Sequence, residues 1–171
     1  MKNTHLLSKF LSKEDIKFVF DNLNSLKEIR DEDNIFNRSI FIARREDIAF
    51  QSLFDKCDDV FFNCYNKKLL SHELYFIKYY KGDYIKRHND NWNTKTSAGR
   101  LYSLVAQMTP PNEYSGGDTI VYSDNKITLS KEVGSGIIFP SSTDHELTEI
   151  TNGERFSFVI MFKQTLNNSL V

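Results

Sequence analysis

Residues 74–90 read LYFIKYYKGDYIKRHND. Their first half decides the fold. Leu74, Phe76 and Lys78 alternate with Tyr75, Ile77 and Tyr79, a period of two that marks a strand and not a helix. Lys81-Gly82-Asp83 is a turn signal, and the stretch ends on His88-x-Asp90. Residues i and i+2 on a strand or its extension point the same way, so this imidazole and this carboxylate can share one target.

Downstream, the chain reads as short strands at 100–109, 118–123, 126–130, 136–140, 145–150 and 155–163, beside the one over 73–80. Gly116-Gly117, Ser123-Asp124-Asn125, Gly134-Ser135-Gly136 and Asn152-Gly153 divide them. Upstream, Ser12 followed by Asp15 is a capping-box pattern. Ile16, Phe20 and Leu23 continue it at helical spacing, which predicts a helix over 13–27. A charged stretch, Glu28–Asn37, breaks the pattern before a short strand over Ser39–Ala43. Arg44 and Arg45 are expected on a solvated edge. A second helix is predicted over 47–68, with Leu53, Cys57, Val60 or Phe61, and Cys64 along one face. Helices first and strands afterwards indicate an α+β order in which the strands form a sandwich or barrel. No repeat or linker divides the chain, so 1–171 is expected to be one domain, helical to about residue 70 and strand-built over about 71–163.

A chain of 171 residues can bury roughly 70% of its unfolded surface around one core. Fourteen Phe and eight Tyr against three Pro suit an aromatic-rich, sheet-containing domain. The net charge of −1 and the mixing of Lys and Arg with acids exclude a basic stripe, and so argue against nucleic acid. The two cysteines, seven residues apart on a predicted helix, are expected to stay reduced and face the core. Ser8, Lys9 and Lys13 interrupt the apolar N-terminal residues before a secretory core forms, and no run reaches membrane-spanning length. A cytoplasmic protein is the expectation; oligomeric state is not legible.

The chemistry lies in His88, Asp90 and His145, followed by Arg155. Two neutral imidazoles and one carboxylate are the ligand set of a mononuclear non-haem iron(II) site with open positions. Zinc can use the same groups, but a closed structural zinc site wants a fourth ligand, usually Cys, and neither Cys is near in sequence. Arg155 and Ser157 share a strand face, so one carboxylate can accept from both. An Arg on the inward face of a strand rich in Phe156, Phe158, Val159, Ile160 and Phe162 needs an anionic partner. His5 and His72 are expected to be ordinary surface or structural residues.

Taken in order, Tyr79-x-x-Gly82, His88-x-Asp90, the strand Arg100–Thr109, Glu113-Tyr114-x-Gly116-Gly117-Asp118-Thr119, Gly136–Pro140, His145 and Gly153-x-Arg155-x-Ser157 resemble the iron(II)- and 2-oxoglutarate-dependent dioxygenases of the prolyl 4-hydroxylase-like class. The resemblance covers 74–163. Pro111-Asn112-Glu113-Tyr114-Ser115-Gly116-Gly117 is similar to the bacterial branch called PKHD-type hydroxylases. The resemblance implies a double-stranded β-helix, or jelly-roll, with the N-terminal helices packed on its major sheet. It implies Fe(II) held by His88, Asp90 and His145, with 2-oxoglutarate anchored by Arg155 and Ser157 and O₂ as co-reactant. Tyr79 would approach the cosubstrate, with Tyr80 competing for the role, while Ser103 and Gln107 would line its pocket. Trp92 would cover the substrate entrance, and 28–47 and 91–99 would be mobile substrate-facing loops.

The implied reaction is hydroxylation of an unactivated C–H bond with release of succinate and CO₂. The substrate would be a peptidyl residue, proline first, or a smaller molecule. Asp90 favours hydroxylation, since related halogenases lack that carboxylate. The nucleic-acid-repair branch carries a second Arg six residues after the first, where this chain has Met161. Two alternatives stay open: a non-catalytic jelly-roll that binds a ligand or partner, and a zinc hydrolase on a cupin-like barrel.

Overall fold

The computed structural model describes residues 4–91 and 99–163. Helix α1 spans Lys13–Asn22 behind the expected capping box: the Asp15 amide donates to Ser12 Oγ (3.1 Å) and the Ser12 amide to Asp15 Oδ2 (2.7 Å). It is shorter than its pattern suggested, because the chain tightens into a 3-10 turn over Leu23–Ser25 and then becomes a strand. Helix α2 spans Gln51–Tyr65 and stops at Asn66, whose left-handed backbone (φ 51°) returns its amide to Phe62 O.

The strands are β1 (His5–Leu7), β2 (Glu28–Glu32), β3 (Phe36–Arg44), β4 (Leu70–Tyr79), β5 (Tyr84–His88), β6 (Arg100–Gln107), β7 (Tyr114–Gly116), β8 (Thr119–Tyr122), β9 (Lys126–Thr128), β10 (Gly136–Pro140), β11 (Asp144–Leu147), β12 (Ile150–Gly153) and β13 (Arg155–Lys163). All their ladders are antiparallel. The main sheet runs β1-β10-β6-β13-β4-β3-β5-β11-β8-β9, with β2 added to β3, and β7 pairs separately with β12. The sheet curls: β3 pairs with β4 along its length but with β5 only at Phe36 and Asn37. That is the point where the chain of strands turns over on itself.

Alternation along the central strands makes two cores. Leu74 and Phe76 of β4, Leu104 and Ala106 of β6, and Phe158, Ile160 and Phe162 of β13 face the helices, where they meet Val19, Phe50, Leu53, Phe54, Cys57 and Phe61. Ile77 and Tyr79, Val105, and Val159 face the other way, toward Val121, Phe139 and Leu147. Arg155 and Ser157 therefore lie opposite the phenylalanines of their own strand, inside the curl. Cys57 is fully buried, Cys64 is only half-buried, and both are free thiols.

The region 28–47 corrects the sequence reading. It is a β-hairpin of β2 and β3, not a mobile loop, so the N-terminal portion mixes strands with its helices. β2 (Glu28, Ile29, Arg30, Asp31, Glu32) is an edge strand whose charges keep its open side in water. Arg30 grips the buried Asp83 with both terminal nitrogens (2.7 and 2.8 Å), which pins the hairpin to the turn before β5. Arg45 is likewise paired, with Asp58 at 2.7 Å, and so is not a solvated edge residue. Among the described residues no helix is long and apolar enough to cross a membrane.

Candidate metal centre

His88 ends β5 and His145 lies in β11, and the two are direct cross-strand partners. Asp90, two residues beyond β5, is held by its own amide, which donates to Ser141 O (2.8 Å). Asp90 Oδ1 lies 3.6 Å from His88 Nε2, and Oδ2 lies 3.6 Å from His145 Nε2. The three ligand atoms fall within 4.8 Å of one another, and among the described residues no other such cluster of His, Cys, Asp or Glu occurs. Neither His5, which sits edge-on to the Tyr65 ring, nor the exposed His72 belongs to it.

Backbone carbonyls fix the orientation of both rings. His88 Nδ1 lies 2.8 Å from Lys86 O and His145 Nδ1 lies 3.1 Å from Thr143 O. A carbonyl accepts only, so a proton on each Nδ1 would leave each Nε2, the nitrogen that faces Asp90, as the metal-binding atom. Phe36 stands edge-on to His88, and Phe139 packs against His145. Ser103 Oγ donates to Asp90 Oδ2 (2.6 Å) and contacts Ser141 Oγ (2.9 Å). This donor set fits a divalent ion that takes imidazole and carboxylate on one face and leaves its other positions open.

Burial pushes the Asp90 carboxyl upward, but the His88 ring, His145 and the Ser103 hydroxyl more than offset this and hold it at about 2. Burial also lowers the His145 imidazolium below its ordinary value, against the pull of Asp90. Both shifts act in one direction on stability. A depressed imidazole gives stability that is lost as pH falls below about 6.5; a depressed carboxyl gives stability that is lost below about 4. The metal-free protein should therefore weaken on acidification in two stages, each with a slope up to about 1.4 kcal/mol per pH unit per group. Urea melts between pH 7 and 3 measure this, and a flat profile from 6.5 to 5 would contradict the His145 environment.

One cavity of about 220 Å³ contains the triad. Its wall includes Arg155, Ser157, Tyr79, Thr119, Phe36, Arg38, Arg100 and Met161. Arg155 is 1% exposed, and among the described residues no carboxylate pairs with it. Its Nε donates to Gln107 Oε1 (3.1 Å), Nη1 to Ser157 Oγ, and Nη2 to Thr119 Oγ1 (2.9 Å). Tyr79 is paired with Arg155 across β4 and β13 and lies under its guanidinium, 5.5 Å from ring centroid to Cζ. Burial raises the Tyr79 phenol, while Arg38, Arg155 and Ser157 draw it back. The competing Tyr80 lies outside the cavity, with Lys78 4.4 Å over its ring.

Two expectations need correcting. Ser103 and Gln107 do not line the cavity; both stand behind it, Ser103 holding Asp90 and Gln107 holding Arg155. Between them on the same face of β6, Val105 does reach the cavity wall, whereas Ser103 and Gln107 are covered by the Asp90 and Arg155 side chains they bind. Thr119 and Arg38 were missed as wall residues. Thr119 stands in the quoted Gly116–Thr119 motif, whereas Arg38 is hidden in a charged stretch far from the triad in sequence. Trp92 and nearly all of 91–99 lie outside the described residues. Gly116 and Gly117 make the predicted bend at φ +75° and +63°. A Cβ on Gly117 would stand 2.4 Å from Ile150 Cδ1 and 3.2 Å from Arg155 Cδ, so the bare backbone there leaves room for the arginine.

Comparison with known proteins covers the segment that carries this geometry. The sequence profile of the 2OG-Fe(II) oxygenase superfamily matches residues 74–163, more than half of the chain. The chain belongs to the 2OG-Fe(II) oxygenase superfamily. Its cofactors are those of that family, iron(II), 2-oxoglutarate and O₂. A PKHD-type hydroxylase of Shewanella oneidensis is 33% identical over 88 residues, 48% of this chain and 38% of the relative. One from Parvibaculum lavamentivorans is 43% identical over 54 residues, 31% of this chain and 25% of the relative. The matches thus span well under half the length of these relatives. Among solved structures, the viral collagen prolyl hydroxylase of Paramecium Bursaria Chlorella virus-1 superposes with a TM-score of 0.77 at 17% identity, covering 96% of this chain and 97% of that one. A Pseudomonas putida prolyl-4-hydroxylase gives 0.74 at 16% identity, covering 95% and 93%. At that identity the likeness is one of fold.

Proposed function

We propose that this chain is a 2-oxoglutarate-dependent hydroxylase in which His88, Asp90 and His145 hold iron(II) and Arg155 with Ser157 binds the distal carboxylate of 2-oxoglutarate. The observation that carries this reading is Arg155, a buried guanidinium with no carboxylate partner among the described residues, which shares a cavity with the triad. An uncompensated buried charge is costly, and a planar guanidinium suits a bidentate carboxylate. The curled antiparallel sheet is read as the family's double-stranded β-helix, with 1–171 as one domain.

When bound, iron(II) and 2-oxoglutarate supply the oxygen chemistry, which converts cosubstrate to succinate and CO₂ and hydroxylates a C–H bond. The protein's own residues aim it. His88 and His145 are kept as Nε2 donors by Lys86 O and Thr143 O, and Ser103 fixes one oxygen of Asp90. Tyr79, Ile77 and Val159 line the cavity below, and Phe36, Ile85 and Leu147 complete its apolar wall, which sheds water around the reacting centre.

A peptidyl residue is the proposed substrate, proline first, with small molecules second. A prolyl hydroxylase from Trichoplax adhaerens, in complex with a peptide fragment, superposes at TM-score 0.73, which supports a fold able to present a peptide to the metal. Met161 on the cavity wall, where the repair branch has a second Arg, supports leaving nucleic acid aside. Compartment is proposed as cytoplasmic on the sequence argument alone. The test is anaerobic addition of Fe(II) and 2-oxoglutarate to metal-free protein. A weak visible charge-transfer band, absent in His145→Ala, is the expected result. Intact folded protein with no band would move the reading to a binding module or a zinc hydrolase.

A further inference from the structure

Arg155 is held by three acceptors, and all of them are neutral: an amide oxygen and two hydroxyls. A buried guanidinium is ordinarily paired with a carboxylate. A carboxylate at position 107 would satisfy the same Nε–H and cancel the charge, but its second oxygen would face Thr109 O, acceptor against acceptor, where the amide nitrogen now donates (2.7 Å). The amide is fixed with unusual completeness. Gln107 stands opposite Ser157 in the β6–β13 ladder. Its Nε2 donates to Thr109 O (2.7 Å) and to Tyr114 Oη (3.0 Å). Thr109 O can only accept and Arg155 Nε–H can only donate, so a turned amide would set two acceptors and two donors against each other; only one orientation satisfies both. Of the five guanidinium hydrogens, the three hydrogen bonds consume one on Nε and one on each terminal nitrogen. One hydrogen on each terminal nitrogen is left, two donors for an incoming carboxylate.

We propose that Gln107 is a positioning residue for the cosubstrate: it fixes Arg155 through Nε while leaving its charge uncompensated, so that the cavity selects a 2-oxo acid bearing a second carboxylate. This rests on the 2-oxoglutarate reading above. Tyr114, in the Glu113–Thr119 motif, belongs to the same device, because its hydroxyl occupies the amide hydrogen that would otherwise be free.

The test is calorimetric titration of two probes, 2-oxoglutarate and the monocarboxylate 2-oxobutanoate, into anaerobic Fe(II)-loaded protein. Wild type should bind 2-oxoglutarate far more tightly than 2-oxobutanoate. Gln107→Glu should lose about 100-fold or more in 2-oxoglutarate affinity, the scale of a charge-assisted bidentate contact, with 2-oxobutanoate affinity and Fe(II) stoichiometry unchanged. Gln107→Met, which keeps the charge but frees the guanidinium, should lose about 10-fold, again for the dicarboxylate alone. A merely structural role would weaken both probes and the metal together. Gln107→Met that binds 2-oxoglutarate within about threefold of wild type would overturn the proposal; if that variant does not fold, a Gln107→Glu protein that binds it as wild type does from about pH 6 to 9 overturns it equally. Wild type that fails to bind 2-oxoglutarate overturns the cosubstrate reading itself, and this proposal with it.

Discussion

Asp90→Ala is expected to abolish hydroxylation and to strip the protein of its iron while leaving it folded. Asp90 is the one anionic group of the proposed triad, and both its oxygens face an imidazole nitrogen at 3.6 Å. Loss of a mere supporting partner to a metal ligand commonly costs 10–100-fold in affinity or activity, so loss of the ligand itself should exceed about 100-fold. The fold should tolerate it. Ser103 Oγ, which now donates to Asp90, keeps Ser141 Oγ as a partner at 2.9 Å, and the two histidines keep their carbonyl partners on the far side of each ring. The variant removes a buried carboxyl held at about 2, so the acid limb of the stability profile should flatten below pH 4. Metal content by elemental analysis and a urea melt together decide the matter. Full activity with iron retained would sink the ligand assignment; a variant that simply unfolds would show that Asp90 is structural.

Much of this site was legible in the sequence because its chemistry is local. His88-x-Asp90 needs only a strand end, and Arg155-x-Ser157 needs only a period of two; β5 and β13 provide both. The cross-strand partnership of His88 with His145 was not legible, since it depends on how the sheet curls and nothing within either segment encodes it. The β2–β3 hairpin was misread for a related reason. Its outer strand is an open edge in water, so it shows charges where alternation was sought, and β3, apart from Phe36, shows its apolar residues only over Ile40–Ala43. Pairing with β4 stabilises that strand more than its own pattern does. Ser103 and Gln107 illustrate the remaining gap. Both were expected at the pocket and both do turn inward, but whether an inward side chain touches ligand or supports the residue that does is set by sheet curvature and by neighbouring side-chain length.

Arg155→Met should make the ligand-free protein no less stable and deprive 2-oxoglutarate of its anchor. The wild-type arginine is buried beside neutral acceptors only, and replacing a buried ion by an apolar side chain of similar volume is often neutral or stabilising by about 1–4 kcal/mol. Against that gain stand the three acceptors left behind. Gln107 Oε1 loses its donor, at a cost of about 1–3 kcal/mol if it stays dry, whereas the Ser157 and Thr119 hydroxyls can rotate toward other partners. The two effects nearly cancel, so the melting temperature without ligand should move by only a few degrees. With ligand the two proteins should part. A site saturated at 100 times its dissociation constant stabilises by about 2.7 kcal/mol; the variant, left with the metal end alone to hold 2-oxoglutarate, should show almost none of it. Thermal melts with and without 2-oxoglutarate, in anaerobic Fe(II)-loaded protein, make the comparison. An unliganded variant that melts far below wild type would mean that Arg155 is a structural cation whose partner the fold supplies. A variant stabilised by 2-oxoglutarate as strongly as wild type would mean that the distal carboxylate is bound elsewhere. The expected pair of results, stability kept and ligand response lost, is what a charge held ready for an absent anion produces.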